Sequence, residues 1–439
     1  MQPMLDYIKP MFRWRWAVLR WMKQLWSRLR VPVARVWRPL MFRTRFIAIC
    51  GSAGKTTTKE ILAGILEKHV SLTKTSGTWG GMKFGGVPGT ILQVRPWHRF
   101  AIVEAGIETA GQMRQMAKLI KPDVVVMLGV NEHHLREFGT LEAIAAEKAE
   151  MLKELSATGV AILNLDDPRV AAMVTIGPFE VIGFGLEGQQ ISAEKISSEW
   201  PRRLELTLTD GHREFLARTR LVGTHWVRSI LAAVTTARHV GIEMDEIVPV
   251  VEAFEPFWGR MQPITLPDGV TYLRDEFNGT LNTYRQAFKI LRDAAASRKI
   301  AVISDFSDSS EYRHEKKRFR YLAQELLDCV DLIIYVGDRS EHARRLAIKA
   351  GFNEASVYEA YDPLEASRIL REIRQPGDLV LLKGRTSDHL SKVYLDQLAT
   401  VSCTLQSCPR QYLCDRCNEL GFVWEEKYAG LMAPPDVVV

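Results

Sequence analysis

No stretch of the chain reaches 18 apolar residues without a charge, so none of its 439 positions reads as part of a transmembrane helix. A secretory signal is also missing. The N-terminus is basic and apolar, but charges interrupt it throughout and no small-residue cleavage pattern follows. Cysteine is scarce, six residues in all, which excludes an exported disulfide framework. Acid is nearly absent from residues 1–45, where eleven Lys or Arg stand against Asp6 alone, a net of +10. The whole chain carries +6, so the remainder carries −4, with 47 basic side chains against 51 acidic ones. The basic excess therefore belongs to an arm, and a nucleic-acid groove in the body is not expected. These absences point to the cytoplasm, with the arm as a means of peripheral contact at the inner face of the cell membrane.

What is present suits two or three soluble globular domains: 46% hydrophobic and 25% charged residues over this length. Four segments are expected: an arm over 1–45, a central domain over 46–255, a second domain over 256–400 and a cysteine-rich tail over 401–439. Trp14, Val18, Trp21, Met22, Leu25, Trp26 and Leu29 fall on one side of a helix in the arm. Arg13, Arg20, Lys23 and Arg28 fall mostly on the other, and Arg15, nearer the apolar side, is long enough to snorkel. Such a helix suits an anionic membrane surface or a partner protein. Pro32 and Pro39 are expected to end helical segments.

The strand Phe46–Cys50 runs into Gly51-Ser52-Ala53-Gly54-Lys55-Thr56-Thr57-Thr58, followed by a helical pattern from Lys59. Strand, glycine loop, lysine, hydroxyl and helix is the order that wraps backbone N–H groups around phosphates. Lys55 would neutralise the phosphates of ATP and Thr56 would hold Mg²⁺. Ile49 stands where the longer form of this loop has its first glycine, so the match is to a shorter G-x-x-G-K-T form. A phosphate loop alone does not separate kinase, motor, switch and ligase.

Further segments do. Val103-Glu104-Ala105-Gly106, Asn131-Glu132-His133-His134 through Leu141, and Ala145-Ala146-Glu147-Lys148-Ala149-Glu150 follow the loop in order. Gly259-Arg260-Met261, Asp275-Glu276-Phe277-Asn278 and Leu382-Lys383-Gly384-Arg385 come later. From about residue 46 to 395 this series resembles the Mur ligase family, and within it the type that adds D-alanyl-D-alanine to a UDP-muramoyl tripeptide. The resemblance implies an α/β architecture, a P-loop parallel-sheet central domain followed by a Rossmann-like C-terminal domain. It implies ATP bound by Gly51 through Thr57, and Mg²⁺ held by Thr56, Glu104 and His134. It further implies a carbamylated Lys148, nucleotide contacts from Arg260, Asp275 and Asn278, and a substrate or phosphate contact from Lys383. Read from the residues alone, Glu104 is also a solvated carboxylate, His134 a structural histidine and Lys148 a surface lysine with acidic helix neighbours. His133 is the weaker of the two histidines as a ligand.

No covalent nucleophile stands out, since Cys50 lies in the strand before the loop. The expected chemistry is an ATP-dependent ligation in which a carboxylate becomes an acyl phosphate and an amine displaces the phosphate. Only about 45 residues precede the loop strand, too few for the UDP-sugar domain of the cell-wall enzymes, so a non-UDP acid is expected. The acid and the amine are not named by the sequence. The alternative is a nucleotide-gated, non-catalytic scaffold, kept open by Thr280-Leu281 and Arg385 where the family pattern differs. In the tail, Cys403, Cys408, Cys414 and Cys417 form a C-x4-C-x5-C-x2-C pattern that suits a structural Zn²⁺, free thiols or a redox pair.

Overall fold

The computed structural model describes residues 29–77, 80–82, 86–132, 134–187, 189–306, 312, 314–405, 408, 413–417 and 420–421. Most of the tryptophan-rich arm, and His133, lie outside the described residues. The first described element is helix α1, over residues 29–40.

The central sheet is built from β1 (Arg45–Cys50), β2 (Leu72–Lys74), β3 (Phe100–Ala105), β4 (Val124–Met127), β5 (Val160–Asn164) and β6 (Glu180–Phe184). Its order is β2-β3-β1-β4-β5-β6, with every neighbouring pair parallel. Strands buried on both faces need apolar side chains at every position, and Phe46–Cys50 and Val124–Met127 supply them. Helices α2 (Lys55–Leu66), α3 (Val87–Gln93), α4 (Gln112–Ile120), α5 (Leu135–Phe138), α6 (Leu141–Ala149), α7 (Pro168–Ala171), α8 (Val227–His239) and α9 (Met244–Ala253) cover it. Between β6 and α8 the chain makes a separate antiparallel sheet of β7 (Ser192–Ser197), β8 (Glu205–Thr209) and β9 (Glu214–Arg218).

The second large sheet comprises β10 (Gln262–Thr265), β11 (Thr271–Asp275), β12 (Arg298–Ile303), β13 (Leu332–Val336), β14 (Val357–Ala360) and β15 (Asp378–Lys383). Its order is β10-β11-β15-β12-β13-β14, and only the β10–β11 pair is antiparallel. The helices of this half are α10 (Leu281–Asp293), α11 (Glu315–Leu326), α12 (Ser340–Ala350), α13 (Pro363–Ile373) and α14 (Ser391–Leu398). Two α/β units in sequence follow the expected order, but the second sheet is mixed rather than parallel throughout, because β10 pairs antiparallel with β11.

Two local expectations need correction. The chain is helical through Pro32 and Pro39 rather than stopping at either. Pro39 stands in the last turn, and burial of Ala34 and Met41 against the central core outweighs the hydrogen bond Pro32 cannot make. The cysteine segment packs onto the second domain, with Cys414 and Leu420 buried in its core. Arg274, fully buried on β11, donates to Asp415 Oδ1 at 2.6 Å and Oδ2 at 2.9 Å, and to Glu276 Oε1 at 2.8 Å through Nε. Burial alone would lower the Arg274 pKa, but Asp415 and Glu276 outweigh it and hold it raised.

Candidate active site

In a parallel sheet the strand order reverses at one place, and loops leaving the strand C-termini there open a crevice. Here β1 is flanked by β3 and β4. The loop after β1 starts at Gly51, where an added Cβ would meet Leu128 Cβ at 2.8 Å. It ends at Gly54, whose φ of +82° and 2.6 Å approach of an added Cβ to Ser229 Oγ both demand glycine. Ser52 ties the loop to the end of β4: its N donates to Gly129 O at 2.9 Å and its Oγ accepts from Asn131 N at 3.0 Å. Ala53 is exposed, and Thr57 is buried with a hydroxyl that has no hydrogen-bond partner.

Lys55 opens α2, and its Nζ turns back over the loop to Gly51 O at 2.9 Å and Ser52 O at 3.5 Å. Burial lowers its pKa, against the pull of Glu104. Thr56 Oγ1 donates to Glu104 Oε1 at 3.1 Å, which joins α2 to the end of β3. Glu104 is 3% exposed, and its Oε2 accepts no hydrogen bond although Lys59 Nζ stands 3.4 Å away as an ion-pair partner. The ion pair is the relevant contact for charge, and the unfilled lone pairs are the relevant feature for a cation. Thr75 Oγ1 fixes the backbone of this carboxylate by accepting from Glu104 N at 3.0 Å.

His134 lies in the loop after β4, in the left-handed conformation with φ of 69°, and caps the short α5. Burial first, then the charges of Lys148 and Lys55, holds its imidazole below the ordinary pKa, which favours the neutral ring that can ligate a metal. Lys148 comes from α6, which Thr140 starts by accepting from Ala143 N at 3.1 Å. Its neighbour Glu147 accepts from Gly111 N and Met113 N, each at 2.9 Å, and so pins α6 to the start of α4. Lys148 is 2% exposed; burial, with Lys55 as the next cause, pushes its pKa down to about 7. Cys50 is fully buried and its thiol is pushed up to about 12, so it is no nucleophile.

From the second domain, the Arg260 guanidinium lies 4.4 Å over the Phe277 ring. Burial lowers its pKa while the charges of Glu104, from the central domain, and Asp275, from the second, draw it the other way. Asp275 accepts from Met261 N at 3.1 Å and pairs with Lys383 Nζ at 2.7 Å. Asn278 turns the chain into α10, its carbonyl accepting from Lys383 Nζ at 2.6 Å and from Thr283 Oγ1 at 2.8 Å. Lys383, for which the resemblance implies a substrate or phosphate contact, is held here by these contacts. Its buried ammonium is consumed by Asp275, Asn278 and Thr283 Oγ1, and locks β15 to the entry of α10.

Lys59 is the residue that sequence reasoning missed. It is fully buried, donates to Thr75 O at 2.7 Å and to Gly77 O, and pairs with both Glu60 and Glu104. A lysine beside a glutamate in a helix reads as solvated, and nothing in its spacing signals otherwise.

The donor set suits Mg²⁺: a threonine hydroxyl, one buried carboxylate with open lone pairs and a neutral imidazole, around a loop shaped for phosphates that would supply further oxygens. The Zn²⁺ expectation fares otherwise. Among the described residues no group of three or more His, Cys, Asp or Glu stands where it could hold a metal ion. Cys414 instead turns into the core, its Sγ 3.4 Å from His389 Nδ1, and the carbonyls of Cys403 and Leu405 accept from Lys392 Nζ.

Comparison with known proteins gives two family matches: the Mur ligase middle domain over residues 49–237, and the Mur ligase, glutamate ligase domain over residues 259–386. The UDP-N-acetylmuramoyl-tripeptide–D-alanyl-D-alanine ligase of Mycobacterium leprae is 30% identical over 369 residues, 78% of this chain and 71% of that protein. The enzyme of that name from Escherichia coli K12 is 26% identical over 379 residues, 84% of this chain and 80% of the relative. Among solved structures, MurF from Acinetobacter baumannii superposes with a TM-score of 0.76 at 25% identity, covering 84% of this chain and 80% of the other. MurF ligase from Thermotoga maritima, solved in complex with ADP, gives 0.72 at 22% identity and covers 85% of each chain.

Proposed function

This chain belongs to the Mur ligase family, and we propose that it couples ATP to amide-bond formation on an acid carried at a membrane or envelope surface rather than by UDP. The family makes it an ATP-dependent amide or peptide ligase. One observation carries the chemical reading: Lys55 and the Thr56–Glu104 contact stand at the C-terminal ends of β1 and β3, within electrostatic reach of Lys148 and Arg260. The carrier reading is supported by the stretch that feeds β1, a basic helix laid along the sheet.

In this mechanism the loop Gly51–Thr57 binds the ATP phosphates through backbone N–H groups and the α2 N-terminus. Lys55 leaves the loop carbonyls for the β- and γ-phosphates. Mg²⁺, when bound by Thr56, Glu104 and His134, supplies the positive charge that balances the phosphoryl oxygens. The substrate carboxylate attacks the γ-phosphorus in line, ADP leaves, and the amine then attacks the acyl carbonyl and expels phosphate. Arg260, Asp275 and Asn278 contribute from the second domain when it closes on the nucleotide, and positioning with charge neutralisation does most of the work.

Lys148 is proposed as a carbamate. An amine with its pKa near 7 is substantially neutral at neutral pH, and its nitrogen attacks CO₂ with loss of a proton. The product is an anion beside Lys55 in place of a second cation.

ADP and phosphate release from MgATP tests the reading, measured over a panel of carboxylates with amines and read together with product mass. Turnover that needs both substrates and yields their condensation mass supports it. Nucleotide binding without turnover across the panel, with no hydroxamate formed in hydroxylamine, overturns it in favour of a nucleotide-gated scaffold.

A further inference from the structure

Helix α1 is apolar on two sides. Ala34 and Met41 turn inward, with Trp37 packed beside them on the central core. Outward stand Leu29, Val33, Val36 and Leu40, at 44, 40, 69 and 57% exposure, spaced four, three and four residues apart on one side of the helix. Phe42, two residues beyond the helix, and Trp97 are exposed as well, at 78 and 69%. Trp97 is held near the end of α1 because Trp37 Nε1 donates to Val94 O at 3.0 Å and Thr44 Oγ1 donates to His98 O at 2.8 Å.

A contiguous outward stripe of this kind marks a contact site. Its frame is cationic. Arg35, Arg43, Arg95 and Arg99 are exposed, and no acid occurs in residues 29–45 or 93–100. Side chains suited to directional recognition are also scarce: over 29–45 the only uncharged polar residue is Thr44, which is buried.

We propose that α1, Phe42 and Trp97 form a seating face that lays the central domain on an anionic lipid leaflet. Charge complementarity favours this occupant, with arginines reaching the headgroups from an apolar stripe in the interface. Continuity of the sequence favours it too. The spacing of Leu29, Val33, Val36 and Leu40 runs on upstream through Leu25, Met22 and Val18, in a segment rich in Trp and Arg.

The face also sets an orientation. At its start, Arg30 donates to Met82 O at 2.8 Å, close in sequence to Gly80, whose carbonyl accepts from Gly106 N beside Glu104. At its end, Arg38 donates to Lys121 O at 2.7 Å, where β4 is about to begin. Helix α1 therefore runs along the sheet face from the catalytic edge to the opposite edge. A domain seated this way presents its catalytic edge sideways, along the leaflet, to a substrate carried in the same leaflet. This deepens the membrane-carried reading of the acid and rests on it.

The test is co-sedimentation of the full chain with vesicles of phosphatidylglycerol and phosphatidylcholine, and of phosphatidylcholine alone, at low and high salt. Val36→Ser/Phe42→Ser/Trp97→Ser is compared with deletion of residues 1–28, and melting curves confirm folding. The expected result is salt-sensitive binding to the anionic vesicles only, weakened at least about tenfold by the triple substitution with the arm intact. Unchanged binding of the triple variant, or equal binding to neutral vesicles, overturns the proposal. So does a shift from oligomer to monomer in the triple variant, which would assign the face to a second copy of the chain. Turnover with soluble substrates, measured on the same samples, shows separately whether the ligase reading stands.

Discussion

At Glu104 a carboxylate is held inside the protein by two neighbours from α2, the Thr56 hydroxyl on one oxygen and the Lys59 ammonium near the other. Lys59 is thus a positioning residue. Lys59→Met leaves Glu104 uncompensated, and removing one partner of a buried pair costs about 3–5 kcal/mol. Thermal denaturation should show that loss, with Mg²⁺ restoring part of it because the cation takes over the lysine's charge. A loss that Mg²⁺ leaves untouched would detach Lys59 from the metal site. Lys148 gives a pH-dependent prediction. Its folded pKa, about 7, lies below the ordinary lysine value of 10.5, so between the two the unfolded chain binds more protons and stability rises with pH. In bicarbonate-free buffer, Lys148→Met should therefore be more stable than the parent at pH 6, and urea denaturation should show the gap closing towards pH 10. A gap that does not change with pH would mean Lys148 is not held neutral. Glu104 and His134 entered as candidates through the family resemblance, and the structure places them at the end of β3 and in the loop after β4. Lys59 was not legible in the sequence, since a buried lysine leaves no mark on helical spacing and its partners, Thr75 and Gly77, come from a loop.

Elements carry a different lesson. The inner strands β1, β3, β4, β12, β13 and β15 were legible because burial on two faces requires near-continuous apolar runs, whereas the edge strands β2, β10 and β14, only partly buried, carry no such run. The packing of the cysteine segment was not legible, for the opposite reason. Its spacing resembles a metal knuckle, yet what fixes residues 413–417 is Arg274, a charged residue inside β11 that no apolar pattern announces. Asp415→Ala should lower stability by about 3 kcal/mol, the lower end of the range for a buried pair, because Glu276 still serves Arg274. Urea unfolding measures this, and an effect below about 0.5 kcal/mol, the scale of surface substitutions, would contradict the account. The contact bears on the interdomain passage as well: Leu413 Cδ1 lies 3.0 Å from where a Cβ on Gly259 would stand, one residue before Arg260. Arg274 and Leu413 thus brace the two ends of the passage that presents Arg260 to the central domain. The same blindness applied at α1, where two prolines suggested breaks and the inward packing of Ala34, Trp37 and Met41 kept the helix whole.

Over the whole molecule, the phosphate loop belongs to one domain and Arg260 to the other, and the charges of Glu104 and Asp275 meet at that arginine. Arg260→Gln should raise the KM for ATP about tenfold, since a charge-assisted contact is worth about 1.5–3 kcal/mol. Steady-state kinetics checks this, and an unchanged KM would place Arg260 outside the nucleotide site. The order of reaction is the deeper claim, because a carboxylate that attacks the γ-phosphorus must leave one of its own oxygens on the phosphate. The decisive measurement uses whichever acid in the panel supports turnover, labelled with ¹⁸O in both carboxylate oxygens, with MgATP and the amine. Mass analysis should find one ¹⁸O in each phosphate released and the other in the amide. Unlabelled phosphate, with ATP consumed and both labelled oxygens still on the acid, would contradict the acyl phosphate and with it the assignment of this site as a ligase.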